Sequence, residues 1–210
     1  RPGFSPAGDF HNGPDVPVVD HAKYVSEFRH ASSEPWHDPQ ISKFYFEQLQ
    51  KFLAEPIPEL LLSSLKDVND AIEIAHGDPD GWSPRTVAER GEVLKRIQAL
   101  LVERKQDLMC LVQRVLGKTA READGDLCEA IDFVNLYWRD ALDVGDRMTM
   151  LDFPGEETYK QIHSLGVVAC LSPFNFVAIP VGMMAAVLVM GNRVVIKPSE
   201  RNVQAVKTFC

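Results

Sequence analysis

The chain has 210 residues, of which 45% are hydrophobic and 25% charged, and it carries a formal net charge of −8. That composition is too apolar for a disordered polypeptide. The acidic excess, with basic residues interleaved among acids as in Glu103-Arg104-Lys105, argues against a nucleic-acid backbone as partner. Four scattered cysteines (Cys110, Cys128, Cys170 and Cys210) include no C-x-x-C pair. They suggest neither a metal site nor a disulfide framework, and the first three read as buried, reduced thiols.

Residues 1–35 are rich in Pro, Gly, His and Asp and read as an extended, loosely packed arm. The opening residues hold no apolar signal-peptide core. From Asp38 to Leu62 the pattern turns helical, with Phe44, Leu49, Phe52 and Leu53 able to share a face until Pro56 and Pro58 interrupt it. Residues 1–63 therefore form one unit, an atypical arm and helix, and residues 64–210 a second.

Within the second unit, residues 67–142 are helical. A short helix runs from Asp67 to Ala75, apolar at Val68, Ala71, Ile72 and Ala75. A longer one is predicted to start at Ser83-Pro84, a capping serine before a first-turn proline. Its apolar positions (Leu94, Ile97, Leu101, Leu108, Leu111, Val115) are interrupted at Arg104-Lys105-Gln106, where it should bend or break, and Gly117 ends it. A third helix spans Ala123 to Leu142, with Ile131, Val134, Trp138 and Leu142 along one side.

Residues 147–164 then place strand-like runs around Pro154-Gly155, a hairpin signal. Residues 165–200 are a strand–helix–strand unit. Gly166 to Leu171 is a continuous apolar run suited to a parallel strand covered on both faces, Arg193 to Lys197 reads as a second buried strand, and an apolar helix from about Val177 to Met190 lies between them. The longest apolar stretch, Phe176 to Met190, is shorter than the ~20 residues of a membrane span and contains Pro180 and Gly182. The fold class is α/β, with a Rossmann-type parallel sheet preceded by helices and a hairpin.

Ligands of such sheets bind beyond the carboxyl ends of the strands. Ser172-Pro173-Phe174-Asn175 leaves the first strand and Lys197-Pro198-Ser199-Glu200 leaves the second. Adjacent strands lie about 4.8 Å apart, so both loops would border one crevice. Asn175 could donate an amide N–H to a carbonyl or oxyanion, or it could simply cap the apolar helix that follows. Lys197 and Glu200 could hold the hydroxyls of a ribose, or occupy an exposed turn.

Taken together, the string from Cys170 to Glu200, CLSPFNFVAIPVGMMAAVLVMGNRVVIKPSE, resembles the aldehyde dehydrogenase superfamily, with its Pro-aromatic-Asn-Phe loop, apolar helix, Gly-Asn and closing Lys-Pro-Ser-Glu. The likeness covers about residues 64–209. Glu122-Ala123-Asp124, Glu129 to Phe133 and Ser-Pro-Phe-Asn-Phe are similar to the branch that oxidises L-glutamate γ-semialdehyde, the 1-pyrroline-5-carboxylate dehydrogenases.

The resemblance implies an incomplete version of that fold and an oxidoreductase of proline catabolism that turns an aldehyde into a carboxylic acid. It implies Asn175 as the oxyanion-holding amide. Ser172, Pro173, Phe174, Lys197, Ser199 and Glu200 would stand around NAD, with NADP possible, and Glu129 and Phe176 at the aldehyde. For Glu129 a plain solvated helix acid is the competing reading.

The resemblance further implies self-association through the 147–164 hairpin and a place in the cytoplasm or mitochondrial matrix. The catalytic thiol and general-base glutamate would lie beyond residue 210, so the chain alone is expected to be inert. Alternatives are an aldehyde dehydrogenase of another substrate class, such as succinate semialdehyde, a non-catalytic partner pairing through the hairpin, and a nucleotide-binding module without chemistry.

Overall fold

A computed structural model describes residues 30–54, 56, 62–145, 148–150 and 154–209. In chain order the elements are α1 (Pro39–Ala54), α2 (Leu65–Gly77), α3 (Val87–Glu103), α4 (Lys105–Leu116), α5 (Ala120–Val144), β1 (Met148–Thr149), β2 (Tyr159–Lys160), β3 (Val167–Leu171), α6 (Ala178–Val189), β4 (Arg193–Lys197) and α7 (Val203–Phe209). Residues 1–29 and Cys210, which carry most of the expected arm and the last cysteine, lie outside the described residues.

Three helices begin in the same way. Ser64 with Asp67, Thr86 with Glu89 and Thr119 with Glu122 form capping boxes at α2, α3 and α5. In each, the hydroxyl accepts from the third helical N–H while the acid returns to the cap's own N–H. Helix α3 therefore starts at Val87 and not at Ser83. The N–H groups of Trp82 and Ser83 both donate to the Asp78 carboxylate at 2.9 Å, which holds them in a turn ahead of the helix. The expected break falls at the single residue Arg104 between α3 and α4, and Gly117, at φ 68°, ends α4 in the left-handed conformation.

Helix α5 is the hub of the molecule, packing against α3, α4 and α6. Leu94, Met109, Leu127, Val134, Val177 and Val189 lie in the shared core. Close approach of α5 and α6 depends on Gly182, where a Cβ would stand 2.9 Å from the Phe133 ring.

The inner face of α1 differs from expectation. Tyr45 and Leu49 are buried and Phe52 is half-buried, whereas Phe44 and Leu53 are 52% and 50% exposed. Tyr45 selects this face. Its ring packs edge-on against Trp36 at 5.1 Å and its hydroxyl donates to Gln113 Oε1 on α4.

The described end of the arm is pinned rather than loose. Ala31 N–H donates to Asp132 at 2.7 Å, while Glu34 N–H and Trp36 Nε1 donate to Asp124 at 2.8 and 2.9 Å. The buried Lys105 ammonium lies 2.7 Å from Asp124 and donates to Ser32 O at the same distance. Burial pulls the Lys105 pKa down, but hydrogen bonds to Asp124 and Cys128 outweigh it and leave the ammonium held above its ordinary value.

The hairpin is a short antiparallel ladder, Met148 opposite Lys160 and Thr149 opposite Tyr159. Strands β3 and β4 are parallel and adjacent, in register from Val167–Arg193 to Leu171–Lys197, with α6 crossing between them. Helix α6 packs on these strands, and α2 also approaches them. Cover is incomplete along both strands, where only Cys170 is buried and Leu171 is 69% exposed, so the expectation of two covered faces is not met.

Candidate functional site

The register of the two parallel strands brings their carboxyl ends level, with Leu171 paired to Lys197. Ser172 N–H adds one more ladder bond, to Lys197 O at 3.3 Å. The loops beyond are joined by side chains. Asn202, fully buried at the start of α7, donates its Nδ2 to Pro173 O at 3.0 Å, and the Arg201 guanidinium lies 4.9 Å from the Phe174 ring centroid. The Ser199 carbonyl accepts from Asn202 N–H at 3.1 Å, closing the turn that follows β4. The two loops form one contiguous edge.

On that edge Asn175, Lys197 and Glu200 are all exposed, and none of the three side chains has a hydrogen bond or ion pair among the described residues. Asn175 does not cap α6. The capping position falls at Val177, which has no side-chain oxygen to offer, and the need is met from a distance. The Asp126 carboxylate, from α5, accepts from Val177 N–H at 3.1 Å and from Ala178 N–H at 2.9 Å. Asp126 is 1% exposed and is neutralised by Lys118 Nζ at 2.7 Å. The same ammonium sits 3.8 Å from the centroid of the Phe176 ring. The Asn175 amide is thus released from structural duty.

The other singled-out residues distribute as follows. Pro173, Phe174 and Phe176 are exposed along the loop, and Glu129 is exposed on α5, one turn beyond Asp126. Ser172 is buried, and neither its hydroxyl nor Asn202 Oδ1 has a partner among the described residues. Ser199 Oγ accepts a long bond, 3.5 Å, from Arg201 N–H.

Sequence reasoning missed Asp126, Lys118 and Asn202. Asp126 did carry a signal. It lies three residues after Ala123 and four before Ala130, both buried, so helical spacing puts its carboxylate on the apolar face of α5. Nothing comparable marks Asn202.

Cys110, Cys128 and Cys170 are buried, and burial pushes each thiol up, Cys110 to about 11. None suits a nucleophile, which must be accessible as thiolate. A groove of about 720 Å³ lies between α2, α3, α6 and β4. Its lining is largely apolar, and Asp78 and Arg193 at its rim are already engaged, by the Trp82 and Ser83 N–H groups and by Ala75 O. It offers less chemistry than the loop edge. No helix among the described residues is long and apolar enough to cross a membrane.

Residues 36–209 match the family model described as "Aldehyde dehydrogenase family", a match that takes in α1 as well as everything after it. The 1-pyrroline-5-carboxylate dehydrogenase of Staphylococcus saprophyticus is 30% identical over 206 residues, an alignment covering 91% of this chain and 40% of that protein. The chain therefore spans about two-fifths of the length of this relative. Among solved structures, proline utilization A from Bdellovibrio bacteriovorus, inactivated by N-propargylglycine, superposes with a TM-score of 0.82 at 22% identity, covering 88% of this chain and 22% of that one. A 1-pyrroline-5-carboxylate dehydrogenase from Thermus with bound NAD gives a TM-score of 0.79 at 24% identity, covering 87% and 42%. At such identities the structural likeness establishes the fold.

Proposed function

Since this chain belongs to the aldehyde dehydrogenase family, we propose that it supplies the carbonyl-holding amide and the ribose-facing edge of an NAD-dependent enzyme. The proposed reaction takes L-glutamate γ-semialdehyde, NAD⁺ and water to L-glutamate, NADH and protons. The substrate reading draws on the relatives named above, which are 1-pyrroline-5-carboxylate dehydrogenases.

One observation carries the reading: Asn175 stands exposed and unbonded beside a helix N-terminus that a distant acid already caps. An amide with no structural partner is free to donate to a substrate oxygen, and such a donor contributes about 2.7–4 kcal/mol to the transition state. Lys197 and Glu200, unengaged at the end of β4, give the donor–acceptor pair that ribose hydroxyls require. The Glu200 carboxylate would repel a 2′-phosphate, which favours NAD over NADP. Ser172, Pro173, Phe174 and Ser199 line the same edge, and Glu129 with Phe176 faces the aldehyde. When bound, NAD⁺ would supply the hydride acceptor. The attacking thiol comes from outside the described residues, since Cys110, Cys128 and Cys170 are buried and disfavoured as thiolates.

The 147–164 hairpin is proposed to serve self-association. Met150, Tyr159, Ile162 and Leu165 are exposed on and beside its short ladder. A reducing compartment, cytoplasm or mitochondrial matrix, fits thiols that carry no disulfide among the described residues.

The test uses the complete product of the reading frame that encodes this chain. Asn175→Ala should lower kcat by about 10²–10³-fold and leave the NAD Kd nearly unchanged, whereas Lys197→Met and Glu200→Gln should weaken NAD and spare kcat. Equal losses of kcat and NAD affinity in the Asn175 variant would assign that residue to structure and sink the reading.

A further inference from the structure

We propose that Asp126, braced by Lys118, is a positioning residue that fixes where the Asn175 amide points. This deepens the reading of Asn175 given above and rests on it.

Asn175 has no partner of its own among the described residues, so its direction is set by its backbone. That backbone belongs to a short span held at two points. On one side Asn202 Nδ2 holds Pro173 O at 3.0 Å. On the other, the Asp126 carboxylate holds Val177 N–H and Ala178 N–H at 3.1 and 2.9 Å. Only Phe174, Asn175 and Phe176 lie between these pins. Within that span the Phe176 ring rests against the Lys118 ammonium, whose charge is held by Asp126.

A carboxylate is suited to this task because its two oxygens accept two diverging N–H groups at once, and buried charge–dipole bonds of this kind are short and stiff. A neutral cap would satisfy the helix end less firmly. Asp126 also lies one turn from Glu129 on α5, so one helix would set the amide donor and present the proposed substrate-facing acid. The carboxylate acts through the loop and touches neither substrate nor cofactor.

The complete product of the reading frame is again the protein to use, compared as wild type, Asp126→Asn, Asn175→Ala and the double variant. Asp126→Asn keeps one oxygen for the helix end and exchanges the other for an amide. A donor displaced by about 1 Å loses about 10²-fold in rate, so kcat should fall by that order while the NAD Kd stays within about twofold of wild type. Because the two residues act through one group, the double variant should be no slower than Asn175→Ala alone, within about twofold. Multiplying losses would mean that Asp126 acts independently of Asn175, and the inference would be wrong.

A spectroscopic arm separates this inference from the reading beneath it. The Asn175 side-chain amide resonance, identified by its loss in Asn175→Ala, should shift or broaden in Asp126→Asn while that of Asn135 stays in place. An unmoved Asn175 resonance overturns the positioning role. If instead Asn175→Ala leaves kcat intact, the carbonyl-holding role of Asn175 fails, and the resonance still decides whether Asp126 sets its direction. Should Asp126→Asn not fold, Lys118→Met carries the same tests, with the same signs expected.

Discussion

The two ends of helix α6 and the N-termini of α2, α3 and α5 meet the same physical demand by opposite means. Every helix leaves its first N–H groups and last carbonyls without internal partners. Helices α2, α3 and α5 answer locally, each through a hydroxyl and an acid three residues apart. Helix α6 is apolar throughout and has no such residues at its ends. Asp126 serves its N-terminus, while at the other end Trp82 Nε1 donates to Leu188 O at 2.9 Å and Arg90 Nε to Val189 O at 2.7 Å. A helix buried against sheet and bundle cannot carry polar caps cheaply, so its neighbours carry them. The remote cap also leaves the nearby Asn175 side chain without a capping task.

The comparison predicts a graded series. Asp126→Ala should be the most damaging, costing about 3–5 kcal/mol in urea unfolding, because it leaves the partly buried Lys118 ammonium without its counter-charge and two α6 N–H groups without an acceptor. A loss under 1 kcal/mol would show that the distant cap is dispensable. Arg90→Met removes charged donors from the far end of α6 and should cost about 1.5–3 kcal/mol, read from the same titrations. Thr119→Ala, which dismantles a local cap, should cost about 1 kcal/mol. If it matched Asp126→Ala, the distinction between near and distant caps would vanish.

The smallest effect is electrostatic. Hydrogen bonds from Thr119 and Thr86 hold the Glu122 and Glu89 carboxyls below their ordinary values. A folded pKa that lies below the unfolded one gives stability above the ordinary carboxylate range, lost as pH falls through the folded pKa. The stability gap between wild type and Glu122→Gln should therefore narrow on acidification through that range. A gap independent of pH would remove the charge from the account of the box.

These examples also mark what was legible in the sequence. The strand–helix–strand unit could be read because its signals are consecutive: two apolar runs, a long apolar helix between them and the turn residues that bound them. Gly117 and the break at Arg104 were legible for the same reason. The start of α3 was misplaced because Ser83-Pro84 looks like a helix start, while Asp78 commits the Trp82 and Ser83 N–H groups to a turn. The inner face of α1 was partly misjudged: Leu49 and Phe52 do turn inward, but Phe44 fits a helical stripe as well as Tyr45 does. Only contacts with Trp36 and Gln113 distinguish the two. At the candidate site, the strand-end position of Asn175, Lys197 and Glu200 was legible from their loops. The burial of Asp126 could be read from helical spacing, but the partners of Asp126 and Asn202 could not, because what they hold lies 51 and 29 residues away in the chain.

Remote capping also orders events during synthesis. Ribosomes release the chain from its N-terminus, so Trp82, Arg90, Lys118 and Asp126 emerge before the first residue of α6. The later helix is thus born next to the groups that will terminate it, and the nascent chain meets its longest apolar stretch with a polar frame already exposed to receive it.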